Sequence, residues 1–250
     1  MTGFSSPDSP SAEGWSRFPI AADLQVCVHP QSTPYSPEVE ARVDAIWDAE
    51  TTLRPQLFNG RIFCADRIAP HRIEGHWTDY RHALAQMREP SVFEDRPLRQ
   101  LAVCGALRCA DGFVLARRNP KALYLGGFWQ SPPAGTVEAR TNDDSVDLGA
   151  QLMAETFEEL GLTPDVVKIG APRLAAMHAN TLILDIGIDL KTSLPFHLLK
   201  ERWDAHGNRE YDELILAKNE DLKMWSLRSE VLPTTQWLMQ ADMSPSHRDM

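Results

Sequence analysis

Ala154-Glu155-Thr156-Phe157-Glu158-Glu159-Leu160-Gly161-Leu162 sets three carboxylates at positions i, i+3 and i+4 of a segment that reads as the end of a helix. On one helix face such like charges repel by roughly 0.2–0.5 kcal/mol per pair. A three-Glu cluster is ordinarily a solvated face. With a glycine turn before it and Gly161-Leu162 after it, the grouping points to a counter-ion, and a hard divalent cation with oxygen ligands meets that need. Leu148, Leu152 and Leu160 carry the apolar spacing, so a helix is expected over residues 143–161, with Gly161 as the residue that ends it.

Working outward, residues 101–107 and 113–116 flank Asp111-Gly112 and predict a β-hairpin. A loop through Gly126, Gly127, Pro132 and Pro133 leads to the acidic helix. Strands follow at 167–170, 173–178 and 181–188, then a helix at 195–203, a strand at 211–217 and helices at 219–230 and 234–241. Upstream, residues 24–28, 61–65 and 73–77 read as strands. Ser36-Pro37 opens a helix through Val43, Ile46 and Trp47, and residues 80–88 have helical spacing. This order implies an α+β fold, an α/β/α sandwich with a mixed β-sheet. The expected organisation is a disordered leader over 1–20, an N-terminal α+β extension over 21–97, a main domain over 98–242 and a flexible tail over 243–250.

The net charge of −10 argues against a nucleic-acid partner, because polyanion surfaces need clustered Lys and Arg. Any phosphate must be met locally. Cys27, Cys64, Cys104 and Cys109 form no C-x-x-C pair, which suits buried free thiols in a reducing, cytoplasmic setting. No apolar run has the length of a membrane span, so no membrane partner is expected. The eight histidines show no H-x-x-x-H or H-E-x-x-H spacing, and no G-x-S-x-G elbow or P-loop is present. Nothing in the sequence specifies an oligomeric state.

Pro133-Ala134-Gly135-Thr136-Val137-Glu138 before the helix and Glu-x-x-Glu-Glu-x-Gly-Leu at its end resemble the Nudix hydrolases, whose box runs G-x(5)-E-x(7)-R-E-U-x-E-E-x-G-U, with U a bulky aliphatic residue. Gly135, Glu155, Glu158, Glu159, Gly161 and Leu162 match. Leu115-Ala116-Arg117-Arg118 and Gly127-Phe128-Trp129-Gln130 resemble the strand and loop that lead into that box, so the resemblance covers roughly residues 101–225. The chain also departs from it. The first Glu of the box falls on Thr141 and its Arg on Ala154, 13 positions apart where the box has 8, and Thr156 stands where an aliphatic is usual. An acidic and a basic residue are thus absent together, and the inserted segment 142–147 is expected to hold the loop in their place.

The resemblance implies hydrolysis of a nucleoside diphosphate linked to another moiety. Mg2+ (Mn2+ possible) would be held by Glu155, Glu158 and Glu159, with Glu158 and Glu159 as the catalytic pair. Glu155 and Glu159, one turn apart, are the expected first ligands. Glu158 would bind a second ion or accept the proton of the attacking water. Glu138 matches an acidic position that often follows the first loop. Gln56-Leu57-Phe58-Asn59-Gly60 and Trp77-Thr78-Asp79-Tyr80-Arg81 are similar to the extension of the Nudix branch that cleaves UDP-glucose and UDP-galactose into UMP and a sugar 1-phosphate. On that similarity Phe58 and Tyr80 pack against a base or ribose, Arg118 contacts a phosphate or the pocket wall, and Tyr211 lines the same pocket. Two alternatives stay open: another diphosphate substrate such as ADP-ribose, NADH or a coenzyme A derivative, and a catalytically silent domain that binds a nucleotide.

Overall fold

The structure is a computed structural model and describes residues 14–30, 34–94, 96–140 and 145–243. Its main element is a mixed sheet. Strands β1 (Trp15–Phe18), β9 (Val167–His178), β10 (Leu184–Thr192), β5 (Leu101–Cys109), β6 (Gly112–Arg118) and β11 (Tyr211–Ala217) lie side by side in that order. β10 and β5 run parallel and the other pairs antiparallel. The expected mixed-sheet α+β fold is therefore present. β5 is buried along nearly its whole length because both of its faces are covered. Leu101, Val103 and Leu107 meet α3 (Leu148–Leu160) and α4 (Phe196–His206) through Leu152, Leu160, Leu199 and Trp203. On the other face Cys104 and Ala106 meet Leu238 and Met239 of α6 (Pro233–Met243).

The hairpin at Asp111-Gly112 pairs β5 with β6 only near its tip, at Arg108↔Phe113 and Cys109↔Gly112. Beyond that point the two strands part. The returning chain fills the split: β7 (Trp129–Gln130) pairs with β6, and β8 (Ala134–Thr136) pairs with β5 at Ala102–Cys104. This split positions the site described below.

The N-terminal region forms a second sheet, ordered β2 (Gln25–Val28), β4 (Arg72–Asp79) and β3 (Arg61–Ala69). α1 (Pro37–Leu53) begins as its sequence predicts, with the Ser36 hydroxyl accepting from Val39 N at 3.3 Å. α2 (Tyr80–Arg88) and a single 3-10 turn over Pro90–Phe93 cover Ile62 and Cys64. The free edge of β3 joins the main sheet: Phe63 N donates to Val137 O at 2.9 Å and Ala65 N to Arg99 O at 2.8 Å. Phe63, Ile73 and Trp77 consequently share one core with Leu101 and Val103.

Several sequence expectations are corrected. Within the segment read as a disordered leader, residues 14–18 are ordered. Trp15 is 8% exposed because β1 adds to the edge of β9. Residues 1–13 and 244–250 lie outside the described residues. The acidic helix starts at Leu148, where the Asp147 side chain accepts from Ala150 N at 2.9 Å and caps it. The strands expected at 167–170 and 173–178 are one strand, because the register against β10 shifts around Ile188 and absorbs Pro172. In place of a helix over 219–230 there is one 3-10 turn and the four-residue α5 (Leu222–Trp225). Leu222 is its one buried residue, so no apolar face holds a longer helix.

Candidate active site

Between β5 and β6 the split opens a cavity of about 580 Å³, and the face of α3 that carries Glu155, Glu158 and Glu159 forms one wall. Leu152 and Leu160 anchor the helix in the core, which turns Glu155 and Glu159 inward against β8. Gly161 ends the helix at φ 66°, a left-handed conformation, and a Cβ there would meet His206 Cβ at 2.7 Å. At Gly135 a Cβ would stand 2.2 Å from Glu155 Cδ. The bare backbone of that turn is thus a cradle into which the Glu155 carboxyl fits, and a larger residue would expel it.

Glu159 is 1% exposed. Its Oε2 accepts from Tyr211 Oη at 2.7 Å and from Ala134 N at 3.1 Å. Burial, reinforced by Glu210 and Glu155, holds its carboxyl well above the usual range. Glu155 accepts from Gln151 Nε2 at 2.6 Å, and burial pushes it up to about 7. Glu138 also lines the cavity and is raised by burial, with Arg140 opposing. Glu158 stands at the rim, its side chain half exposed.

The counter-ion that the sequence called for is, in part, a side chain. Arg140 donates from Nη2 to Glu155 Oε1 at 3.0 Å, from Nη1 to Glu158 Oε1 at 2.9 Å and from Nε to Gln151 Oε1 at 3.0 Å. The missing basic residue at Ala154 is thereby replaced from outside the helix, which corrects the expectation that acid and base are simply absent together. Residues 141–144, which include Thr141 and half of the inserted segment, lie outside the described residues. Glu138, Glu155, Glu158 and Glu159 bring hard oxygen atoms, the ligand type of a divalent ion, to one cavity. With Arg140 among them, no three His, Cys, Asp or Glu side chains of the described residues converge on one point.

Of the predicted substrate contacts, Tyr80, Arg118 and Glu138 line the cavity. Tyr80 also packs edge-on against Trp47, with centroids 6.4 Å apart. Arg118 donates to Tyr124 O at 3.1 Å and to Gln130 Oε1 at 3.2 Å. Tyr211 is buried behind the wall. Gln130 Nε2 donates to its hydroxyl at 2.9 Å, and that hydroxyl in turn holds Glu159. Its place is to orient a carboxylate, which corrects the expectation that it lines the pocket. Phe58 is outside the cavity and 81% exposed, which corrects the expectation that it packs against a base or ribose.

Sequence reading missed Arg140, Gln151, Gln100 and Asp185. Arg140 had a signal, a cation next to the vacated acidic position at Thr141. Asp185 had none, since a lone Asp in an apolar strand looks like an edge residue. It lines the cavity and accepts from Thr234 Oγ1 at 3.1 Å. Burial pushes its carboxyl from 3.8 up to about 6. Between pH ~4 and ~6 the folded protein therefore keeps a proton that the unfolded chain has lost, and stability falls as pH rises through that window. Asp185→Asn removes the loss. Melting curves of the two proteins are expected to coincide near pH 4 and to separate, with the variant the more stable by on the order of 2 kcal/mol, above pH ~6. A gap that stays constant across the window would refute this.

The four cysteines are free, and among the described residues no helix is long and apolar enough to cross a membrane. The chain matches no protein-family model and no curated protein. Among solved structures it is similar to a MutT protein from Methanosarcina mazei Go1, with 17% identity and a TM-score of 0.41 over 57% of this chain and 91% of that one. It is also similar to a C. elegans Ap4A hydrolase, with 17% identity and a TM-score of 0.40 over 56% of this chain and 94% of the other. A third is an ADP-ribose pyrophosphatase from Streptococcus suis, with 15% identity and a TM-score of 0.34 over 59% and 94%. Likeness at this distance assigns neither reaction nor substrate, and the functional reading rests on the site's own residues.

Proposed function

We propose that this protein is a Nudix-type hydrolase that uses a divalent metal to cleave a nucleoside diphosphate linked to another group, with a UDP-sugar such as UDP-glucose as leading substrate. The observation that carries the reading is the seating of Glu155 and Glu159, one turn apart on α3, against the bare Gly135 turn in the wall of a cavity large enough for a nucleotide. Glu155 and Glu159 would hold Mg2+ or Mn2+. When bound, the ion supplies charge neutralisation of the diphosphate and an oriented water. The remaining work belongs to side chains. Tyr211 and the Ala134 amide fix the Glu159 carboxylate. Glu158, at the rim, accepts the proton of the attacking water. Arg118 faces the phosphates, and Tyr80 from the N-terminal extension packs against the base or ribose. Four unpaired thiols support a cytoplasmic location.

The test is direct. Purified protein with Mg2+ is expected to release UMP and glucose 1-phosphate from UDP-glucose, resolved by chromatography. UDP-glucose left intact after long incubation removes this substrate, and a panel with ADP-ribose, NADH and a coenzyme A derivative then identifies the diphosphate cleaved. One observation favours a second reading, a catalytically silent nucleotide-binding domain: Arg140 already neutralises Glu155 and Glu158. Nucleotide binding by calorimetry without turnover of any panel member would select it.

A further inference from the structure

The cavity wall also carries hydrogen-bond acceptors outside the glutamate cluster of α3. Gln100 immediately precedes β5 and Asp185 lies on its parallel neighbour β10, in register with Ala102, two residues beyond Gln100. By the two-residue alternation of strands, Gln100, Ala102 and Asp185 project from one face, and all three line the cavity. The small Ala102 leaves room between the two longer side chains. Gln100 is 5% exposed, and its Nε2 donates to Thr136 Oγ1 at 2.6 Å. Its Oε1 is buried with no hydrogen-bond partner among the described residues. Asp185 accepts from Thr234 and has no ion-pair partner among the described residues. Gln100 Oε1 is therefore acceptor capacity that the described residues leave unused, and buried acceptors without donors are rare because each forfeits its solvation.

A ligand group placed here has to bring donors. A group bonded to the Asp185 carboxylate cannot itself be anionic, so the phosphates are held by other residues of the cavity. Building on the proposed function, we propose that Gln100 and Asp185 form an acceptor subsite that binds an uncharged group carrying adjacent O–H or N–H donors and thereby selects the substrate. Within a nucleotide sugar that chemistry has two sources, a vicinal diol of a sugar ring and the amino-bearing edge of a base. A site built to bond such groups discriminates strongly against analogues that lack them, because its acceptors are then left unpaired.

Calorimetric titration in EDTA separates binding from chemistry. UDP-glucose, UDP and GDP-glucose are titrated into wild type and Asp185→Asn, a variant of the same shape expected to fold at least as stably. The expected result is a loss of about tenfold or more in affinity for a donor-bearing ligand, the scale of one buried hydrogen bond. Loss for UDP-glucose with UDP unchanged assigns the subsite to the distal sugar. Equal loss for UDP and UDP-glucose assigns it to the nucleoside diol, and a loss greatest for GDP-glucose to the amino edge of the base. Equal affinities of wild type and variant for all three overturn the subsite. If wild type still releases UMP from UDP-glucose, that result leaves the proposed function standing. Wild type that binds none of the three overturns the subsite, and UMP release from UDP-glucose with Mg2+ decides the proposed function separately.

Discussion

Replacing Glu159 by Gln is expected to lower UMP release from UDP-glucose by about 10²–10³-fold, the usual cost of removing one preorganised charged group from a water-poor site. The fold should survive. Glu159 sits 1% exposed with its charge disfavoured by burial and by Glu210 and Glu155, so an amide of the same shape relieves a buried charge. The Gln oxygen can still accept from Tyr211 and Ala134 N, the two donors that hold Oε2. Activity and stability should therefore move in opposite directions, as they do where a site is built at the expense of its surroundings. Kinetics and thermal melts on one preparation make the check. A variant that keeps most of the wild-type rate would remove Glu159 from the mechanism.

The second large effect concerns Arg140. Its guanidinium lies within 3.0 Å of Glu155 and 2.9 Å of Glu158, where a cation would gather the same carboxylates. At an effective dielectric near 20, two unit charges about 4 Å apart interact by roughly 4 kcal/mol, so a dication entering beside a retained guanidinium is opposed strongly. Arg140→Gln keeps a donor for Gln151 or Glu155 and removes the charge. We expect Mg2+ or Mn2+ to bind this variant at least about tenfold more tightly than wild type, only part of that repulsion being recovered because the arginine can swing aside. The metal-free variant should melt lower than metal-free wild type, since Glu155 and Glu158 lose their counter-ion, and metal should raise its melting point more. Calorimetry with Mg2+ and electron paramagnetic resonance of Mn2+ read the affinity. Unchanged or weakened binding would mean that Arg140 organises the carboxylates and does not compete for them.

The residues that sequence reading found and those it missed differ in a consistent way. Glu155, Glu158, Glu159, Gly135 and Gly161 were legible because helix period and turn chemistry are properties of neighbours in the chain. The start of α3 was misplaced by five residues, since an Asp inside an acidic loop does not advertise which of its kind is the cap. Phe58 and Tyr80 looked equivalent as aromatics flanking a strand. Only the fold separates them, an exposed ring at Phe58 before β3 from a cavity-lining ring at Tyr80, the first residue of α2.

By itself the sequence determined the alternation of strands and helices, the acidic face of α3 and the glycine that ends it. Those features depend on interactions among residues a few positions apart, which the chain carries wherever it folds. Tertiary structure alone decided that Arg140 pairs with Glu155 and Glu158, that Tyr211 reaches Glu159 from behind the wall, and that Gln100 and Asp185 line the same cavity. These partners lie from 15 to 85 positions apart. The splitting of β5 from β6 and the parallel pairing of β5 with β10 bring them together, and no local pattern encodes which distant charge a carboxylate will meet.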